Sequence, residues 1–186
     1  MPFTHTDFPG IVLFEPIVFE DDRGYFFESY NEKVFGTEGL QFSWVQDNQS
    51  RSTYGVIRGL HYQLNPYAQT KLVRVLQGRI WDVAVDIRKG SPTYGKYYGV
   101  ELSESNKRQV LIPKGFAHGF SVLSDTASVM YKCDNYYNRE CEGSIIYNDP
   151  VLQIDWKVPA NKMILSDKDK LHPVFAEIKN NFEFEG

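Results

Sequence analysis

The stretch RIWDVAVDI, residues 79–87, alternates with a period of two. Ile80, Asp82, Ala84 and Asp86 fall on one face of an extended chain, and Trp81, Val83, Val85 and Ile87 on the other. The second face is core. The first puts two carboxylates in line, and parity alone leaves open whether they meet solvent or line the inside of a barrel.

Similar runs extend in both directions: GYFFESY (24–30), YGVIRGLHYQ (54–63), KLVRVLQ (71–77), KYYGVELS (96–103), RQVLIP (108–113), HGFSVLS (118–124) and SVMYKCDNYY (128–137). Turn signals such as DDRG, KGSPTYG, SESN and PKG separate them. Short strands at this regular spacing predict an all-β sandwich or barrel, because a parallel βαβ sheet needs long helical crossovers. Helix is expected only in pieces. One is NEKVFGTEG (31–39), with Asn31 as N-cap and Gly39 as terminator, and a turn or two follows from about Lys168.

A chain of 186 residues is long enough to bury one good core. The formal net charge of −4 argues against nucleic acid or an anionic membrane surface as partner, since both need a positive field. No apolar run approaches the length of a membrane span, and MPFTHTDFPG lacks the features of a signal peptide. Cys133 and Cys141 are too few for a disulfide framework. They read as buried thiols of a cytoplasmic protein.

GVIRGLHYQ (55–63) carries Arg58, Gly59 and His61 out of a β-branched run. His61 can be a metal ligand, a proton-transfer group or a packed histidine. The segment IPKGFAHGF spaces Pro113, Gly115 and His118 as P-x-G-x-x-H, which resembles the second motif of the cupin superfamily of small jelly-roll barrels. In metal-binding cupins the first motif supplies two histidines and a glutamate. Here Gln63 stands where the second histidine is expected, and no Glu follows within that strand pair. Two histidines and an amide make a poor set for a first-row metal. Imidazoles with Arg58 and Lys71 inside a barrel are costly unless an anion binds among them.

Taken together, RGLHYQ, QTKLVRVLQGRIWDVAVDIRKGSPTYG, LIPKGFAHGF, YKCDNYY and ILSDKD resemble the dTDP-4-dehydrorhamnose 3,5-epimerase family over nearly the whole chain. The resemblance implies a cupin-type jelly roll without metal or other cofactor. It implies a substrate, dTDP-4-keto-6-deoxyglucose, inverted at C3 and C5. Removing a proton beside a ketone needs a base and a stabilised enolate. By resemblance His61 is that base, oriented by Asp169, with Asp167 as the alternative partner. Tyr131 is the proton donor on the opposite face of the sugar, and Lys71 faces the developing enolate oxygen. Arg23, Arg58 and His118 match positions that hold diphosphate or sugar. Glu28, Gln46, Asp47, Asn48 and Glu142 match polar contacts to the ligand. Tyr137 matches the residue that stacks on thymine, with Tyr136 on the other face.

Family members are dimers that exchange an N-terminal segment, so Arg23 and Glu28 are expected to serve the neighbouring subunit. The implied layout is a single epimerase domain over 1–186. Dimer contacts come from about 1–50, the barrel spans about 51–150, and a C-terminal extension covers 151–186. Three readings compete: an epimerase acting at one carbon only, a metal-dependent cupin enzyme, and a barrel that binds a nucleotide sugar without converting it.

Overall fold

The computed structural model describes residues 2–185. A six-stranded sheet runs in the order β1 (Phe3–His5), β2 (Val12–Phe14), β10 (Gln109–Ile112), β7 (Lys71–Gln77), β12 (Thr126–Cys133) and β5 (Gln46–Thr53). A five-stranded sheet runs β13 (Glu142–Ser144), β6 (Ile57–Gln63), β11 (Phe116–Val122), β8 (Arg79–Asp86) and β9 (Tyr97–Ser103). A separate hairpin pairs β3 (Phe19–Asp21) with β4 (Gly24–Phe26). The ladders within both sheets are antiparallel, which fits short turns between alternating strands. This is the all-β, cupin-type jelly roll that the motifs imply. Strands β1 and β2 lie upstream of the span expected for the barrel and complete the edge of its first sheet.

The sheets face each other over one apolar cluster that includes Val73, Val75, Ile80, Ala84, Val110, Phe120 and Val129. A second cluster covers the outer face of the five-stranded sheet. There Val83, Val85, Ile87 and Leu60 pack against Ile145, Leu152, Trp156 and Phe182 of the C-terminal segment. Strand β8 is therefore buried on both faces. Its alternation separates two cores, where a core and a solvent face were the simpler reading. Asp82 and Asp86 are both almost wholly inaccessible. Asp86 is neutralised in place: Arg88 grips it at 3.0 and 2.7 Å, and the hydroxyls of Ser91 and Thr93 each donate to it at 2.6 Å. A buried carboxylate needs that many partners to offset its lost hydration.

A third cluster holds the N-terminal region to the outer face of the six-stranded sheet, with Phe35 against Phe14, Leu72 and Leu111. Burying Phe35 fully contributes about 1.5–3 kcal/mol. Its helix, α1 (Glu32–Thr37), starts where expected, because Asn31 Oδ1 accepts from the amides of Lys33 and Val34. Gly39, at φ +73°, follows its end. The tail carries 3₁₀ turns at Asp169–Leu171 and Phe175–Glu177. Of the two cysteines, Cys133 is buried, whereas Cys141 is only half-buried.

Candidate active site

The position of His61 depends on an irregularity in β6. Arg58 and His61 are three residues apart, so a regular strand would send them to opposite faces. Between the paired positions His118↔His61 and Phe120↔Arg58, β6 has one residue more than β11. Gly59 sits in this bulge at φ +127°. A Cβ there would stand 2.5 Å from the Gly119 Cα, closer than two carbons can approach. Two facing glycines thus let the backbones meet, and the extra residue turns Arg58 and His61 into one cavity.

That cavity holds about 850 Å³ and is lined from both sheets. Arg58 and His61 come from β6, His118 from β11 and Glu142 from β13. The six-stranded sheet contributes Gln46 and Asn48 from β5, Lys71 from β7 and Tyr131 from β12. Tyr137, Lys168 and Asp169 close the lining. Its size suits a ligand well beyond a monosaccharide.

His61 Nε2 lies 2.9 Å from Asp169 Oδ1. Burial works to raise the Asp169 pKa, but the bond and charge of His61, with the Ser166 contact and His172, together outweigh it and hold the carboxyl below its ordinary value. A carboxylate on Nε2 keeps the proton there and leaves Nδ1 as the basic nitrogen. Asp167 does not compete: it lies in a turn just before the 3₁₀ segment Asp169–Leu171 and not in a strand, and it is exposed and paired with Lys170 at 3.0 Å.

Tyr131 faces His61 from the opposite sheet, with the Lys71 Nζ 5.6 Å from its ring centre. Burial raises the pKa of the Tyr131 phenol, with Cys133 adding to the effect and Arg58 opposing it, so it stays protonated at neutral pH. Burial lowers the pKa of Lys71, and the charges of Cys133, Asp82 and Glu142 pull it back up. Desolvated cations and donors of this kind stabilise an oxyanion far better than they would in water. Arg58 Nε is steadied by the Ser52 hydroxyl at 3.0 Å. His118 Nε2 is tied to Asp82 Oδ2 at 2.8 Å, which gives the inward-facing carboxylate of β8 its partner. Gln63, in the place of a cupin metal ligand, accepts the Asn138 amide through Oε1 at 2.8 Å.

Three expected site residues lie elsewhere in this chain. Parity turns Gln46 and Asn48 inward and Asp47 outward, where it pairs with Lys132 at 3.1 Å. Arg23 and Glu28 lie outside the cavity. Arg23 is bound to Asp21 at the turn of the exposed hairpin, and Glu28 accepts from Asn31. Tyr136 is exposed and away from the cavity, which Tyr137 lines.

Two residues escaped the sequence reading. Lys168 holds both Glu142 oxygens, at 2.8 and 2.7 Å, and the Tyr137 hydroxyl donates to the same carboxylate at 3.1 Å. The other is His172, packed edge-on against His61. Lys168 stands within the ILSDKD motif and was legible there, whereas nothing in the local pattern marks His172.

The model of the dTDP-4-dehydrorhamnose 3,5-epimerase family matches residues 5–177. The chain belongs to that family. The Shigella flexneri dTDP-4-dehydrorhamnose 3,5-epimerase is 56% identical over 165 residues, 88% of this chain and 90% of the relative. A Legionella pneumophila dTDP-6-deoxy-D-glucose-3,5-epimerase, solved with dTDP-4-keto-L-rhamnose, is 46% identical with a TM-score of 0.94 and covers 99% of this chain and 98% of its own. A 3'-monoepimerase from Streptomyces bikiniensis, solved with dTDP, is 30% identical with a TM-score of 0.86, covering 92% and 86%. The expected family, isomerase class and fold all stand. Within this epimerase family the fold is common to enzymes of different positional range, so the side chains must distinguish them.

Proposed function

We propose that this chain is a dTDP-4-dehydrorhamnose 3,5-epimerase that converts dTDP-4-keto-6-deoxy-D-glucose into dTDP-4-keto-L-rhamnose. One observation carries the mechanism: His61 on one sheet, with Asp169 of the C-terminal 3₁₀ turn bonded to it, faces Tyr131 and Lys71 on the other sheet across a single cavity. His61 Nδ1 takes the proton from a carbon beside the C4 ketone, and the C–H electrons move into an enolate. Asp169 stabilises the imidazolium that forms. The Lys71 ammonium meets the negative charge on the C4 oxygen, which exists only beyond the ground state. Tyr131 then delivers a proton to the other face of the carbon, inverting it. Repetition at the second carbon completes the reaction. Arg58 and His118 suit the diphosphate, and Gln46, Asn48, Tyr137, Glu142 and Lys168 the nucleoside end.

The working unit we infer is a homodimer of one epimerase domain per chain, acting in the cytoplasm. Hairpin β3–β4 exposes Phe19, Tyr25 and Phe26 around the Arg23 turn, with Ile17 exposed just before it. Apolar side chains held in solvent on a two-stranded ribbon are costly, and docking on a second copy would bury them. Such docking carries Arg23 and Glu28 into the neighbour's cavity. On this reading the first 50 residues or so supply the exchange, and residues 151–186 form the cover that brings in Asp169.

The test is incubation with dTDP-4-keto-6-deoxyglucose in deuterated water, followed by NMR. Solvent deuterium at C3 and C5, with both centres inverted, is expected. Label at one carbon alone would make the chain a monoepimerase, the reading its likeness to the Streptomyces enzyme supports. His61→Ala is expected to abolish exchange while dTDP still binds. Exchange near the wild-type rate in that variant would remove His61 from the chemistry.

A further inference from the structure

The His61–Asp169 pair has a neighbour that the proposed reaction does not use. His172 follows the 3₁₀ turn Asp169–Leu171, and its side chain is only 5% exposed. Neither of its ring nitrogens has a hydrogen-bond partner among the described residues. Buried polar atoms are nearly always paired, so a buried imidazole with both nitrogens free calls for a partner. His172 Nε2 points at Asp169 Oδ1 from 3.6 Å, too long for a hydrogen bond. The same oxygen already meets His61 Nε2 at 2.9 Å. The His61 and His172 rings stand edge to face, with centroids 5.2 Å apart. Taken as one donor atom from each of the three residues, the set lies within 4.8 Å of one another.

Two imidazoles and one carboxylate are the donor set that first-row divalent cations take. Metal–ligand distances of about 2.0–2.2 Å put neighbouring donors roughly 3.0–3.4 Å apart. The 2.9 and 3.6 Å separations of the two imidazoles from Asp169 Oδ1 bracket that range. Around the set, Glu142 and Lys168 face His172 as well, and they neutralise each other through their own ion pair. The carboxylate of Asp169 therefore remains as the uncompensated charge facing the two imidazoles.

We propose that His61 Nε2, Asp169 Oδ1 and His172 Nε2 form an inhibitory site for a borderline divalent cation of the zinc or cobalt type. The cation takes the place of the proton between His61 and Asp169, and that proton leaves to solvent. Its double charge then withdraws electron density from the His61 ring, so that Nδ1 no longer takes a proton from carbon. The cation is an inhibitor and not a cofactor. Its position is distinct from the His61, Gln63 and His118 set that cupin motifs would suggest. Binding rests on this geometry alone, and only its inhibitory consequence rests on the epimerase reading.

The experiment uses the tag-free, chelator-treated chain. Zinc chloride is titrated by calorimetry, and cobalt(II) by its visible absorption, both without substrate. The expected result is one-to-one binding with cobalt bands of nitrogen and oxygen coordination, weakened about tenfold or more in both His172→Gln and His172→Phe. Circular dichroism and dTDP affinity establish that these variants are folded. Deuterium exchange should stop when zinc is added and return with EDTA. Absence of one-to-one binding overturns the site, as does unchanged binding in both folded variants, which would put the cation elsewhere. Undiminished exchange in the zinc-loaded protein overturns the inhibitory role. A protein that binds zinc as described but never exchanges deuterium counts against the epimerase reading and leaves the site standing.

Discussion

Replacing Asp169 with asparagine removes a charge from the cavity and almost no volume. The lost interaction is the 2.9 Å contact between His61 Nε2 and Asp169 Oδ1, with Asp169 itself only 8% exposed. A hydrogen bond to a charged group contributes about 1.5–3 kcal/mol, and it is strongest when His61 carries the proton taken from the sugar. Each 1.36 kcal/mol is a factor of ten in rate, so kcat/KM should fall about 10- to 150-fold. The loss grows further if the introduced amide turns its NH₂ toward Nε2, since that places the ring proton on Nδ1 and blocks the base. Dissociation of dTDP should change little, because all the nucleotide contacts except Lys168 lie on other elements, and Lys168 keeps its own grip on Glu142. Deuterium exchange at C3 and C5, measured at saturating substrate, should fall in the same proportion. A variant within about twofold of the parent rate, or one whose whole deficit lies in dTDP affinity, would refute the assignment of Asp169 as the orienting partner.

Tyr131→Phe should keep washing deuterium into the substrate while losing inversion; normal epimerisation would move the donor role to water. Gly59→Ala must push a Cβ against Gly119 at 2.5 Å in a backbone conformation that L side chains rarely adopt. It should lower Tm and separate Arg58 from His61, and unchanged Tm and kcat would contradict the bulge argument. Asp86→Ala leaves Arg88, whose side chain is 12% exposed, without its partner and should destabilise the fold by about 3–5 kcal/mol in urea melts. Burial alone would raise the Asp86 pKa, but bonds from Arg88, Ser91 and Thr93 carry it below the ordinary value of 3.8. A carboxylate with a depressed folded pKa stabilises fully above its unfolded value. Stability should therefore hold above about pH 4 and fall as pH drops further, and the Asp86→Ala variant should show a shallower acid slope.

Much of this protein was legible in one dimension. Period-two runs and regular turns implied antiparallel strands, because side-chain direction in an extended chain follows from parity alone. The motifs around His61, Lys71, His118, Tyr131 and ILSDKD pointed to an epimerase because they keep their residue types and order. Asn31 and Gly39 marked the ends of helix α1 by local hydrogen bonding and φ, which need no tertiary partner. Other features depend on what packs against a strand. RIWDVAVDI reads as half-buried, yet a C-terminal segment far along the chain, with Leu152 and Trp156, covers its second face. Whether Asp82 met water or His118 was decided by the neighbouring strand. Parity turned Asp47 away from its neighbours in QDN, and a one-residue bulge at Gly59 overrode parity to bring Arg58 and His61 together. Asp169 rather than Asp167 reaches His61 because the chain there winds into a 3₁₀ turn, and the same turn buries His172 beside them. Parity and residue type set the strand pattern and the kinds of chemical group present. Which of those groups share a cavity was decided by the tertiary structure, since burial and proximity are set by residues distant along the chain.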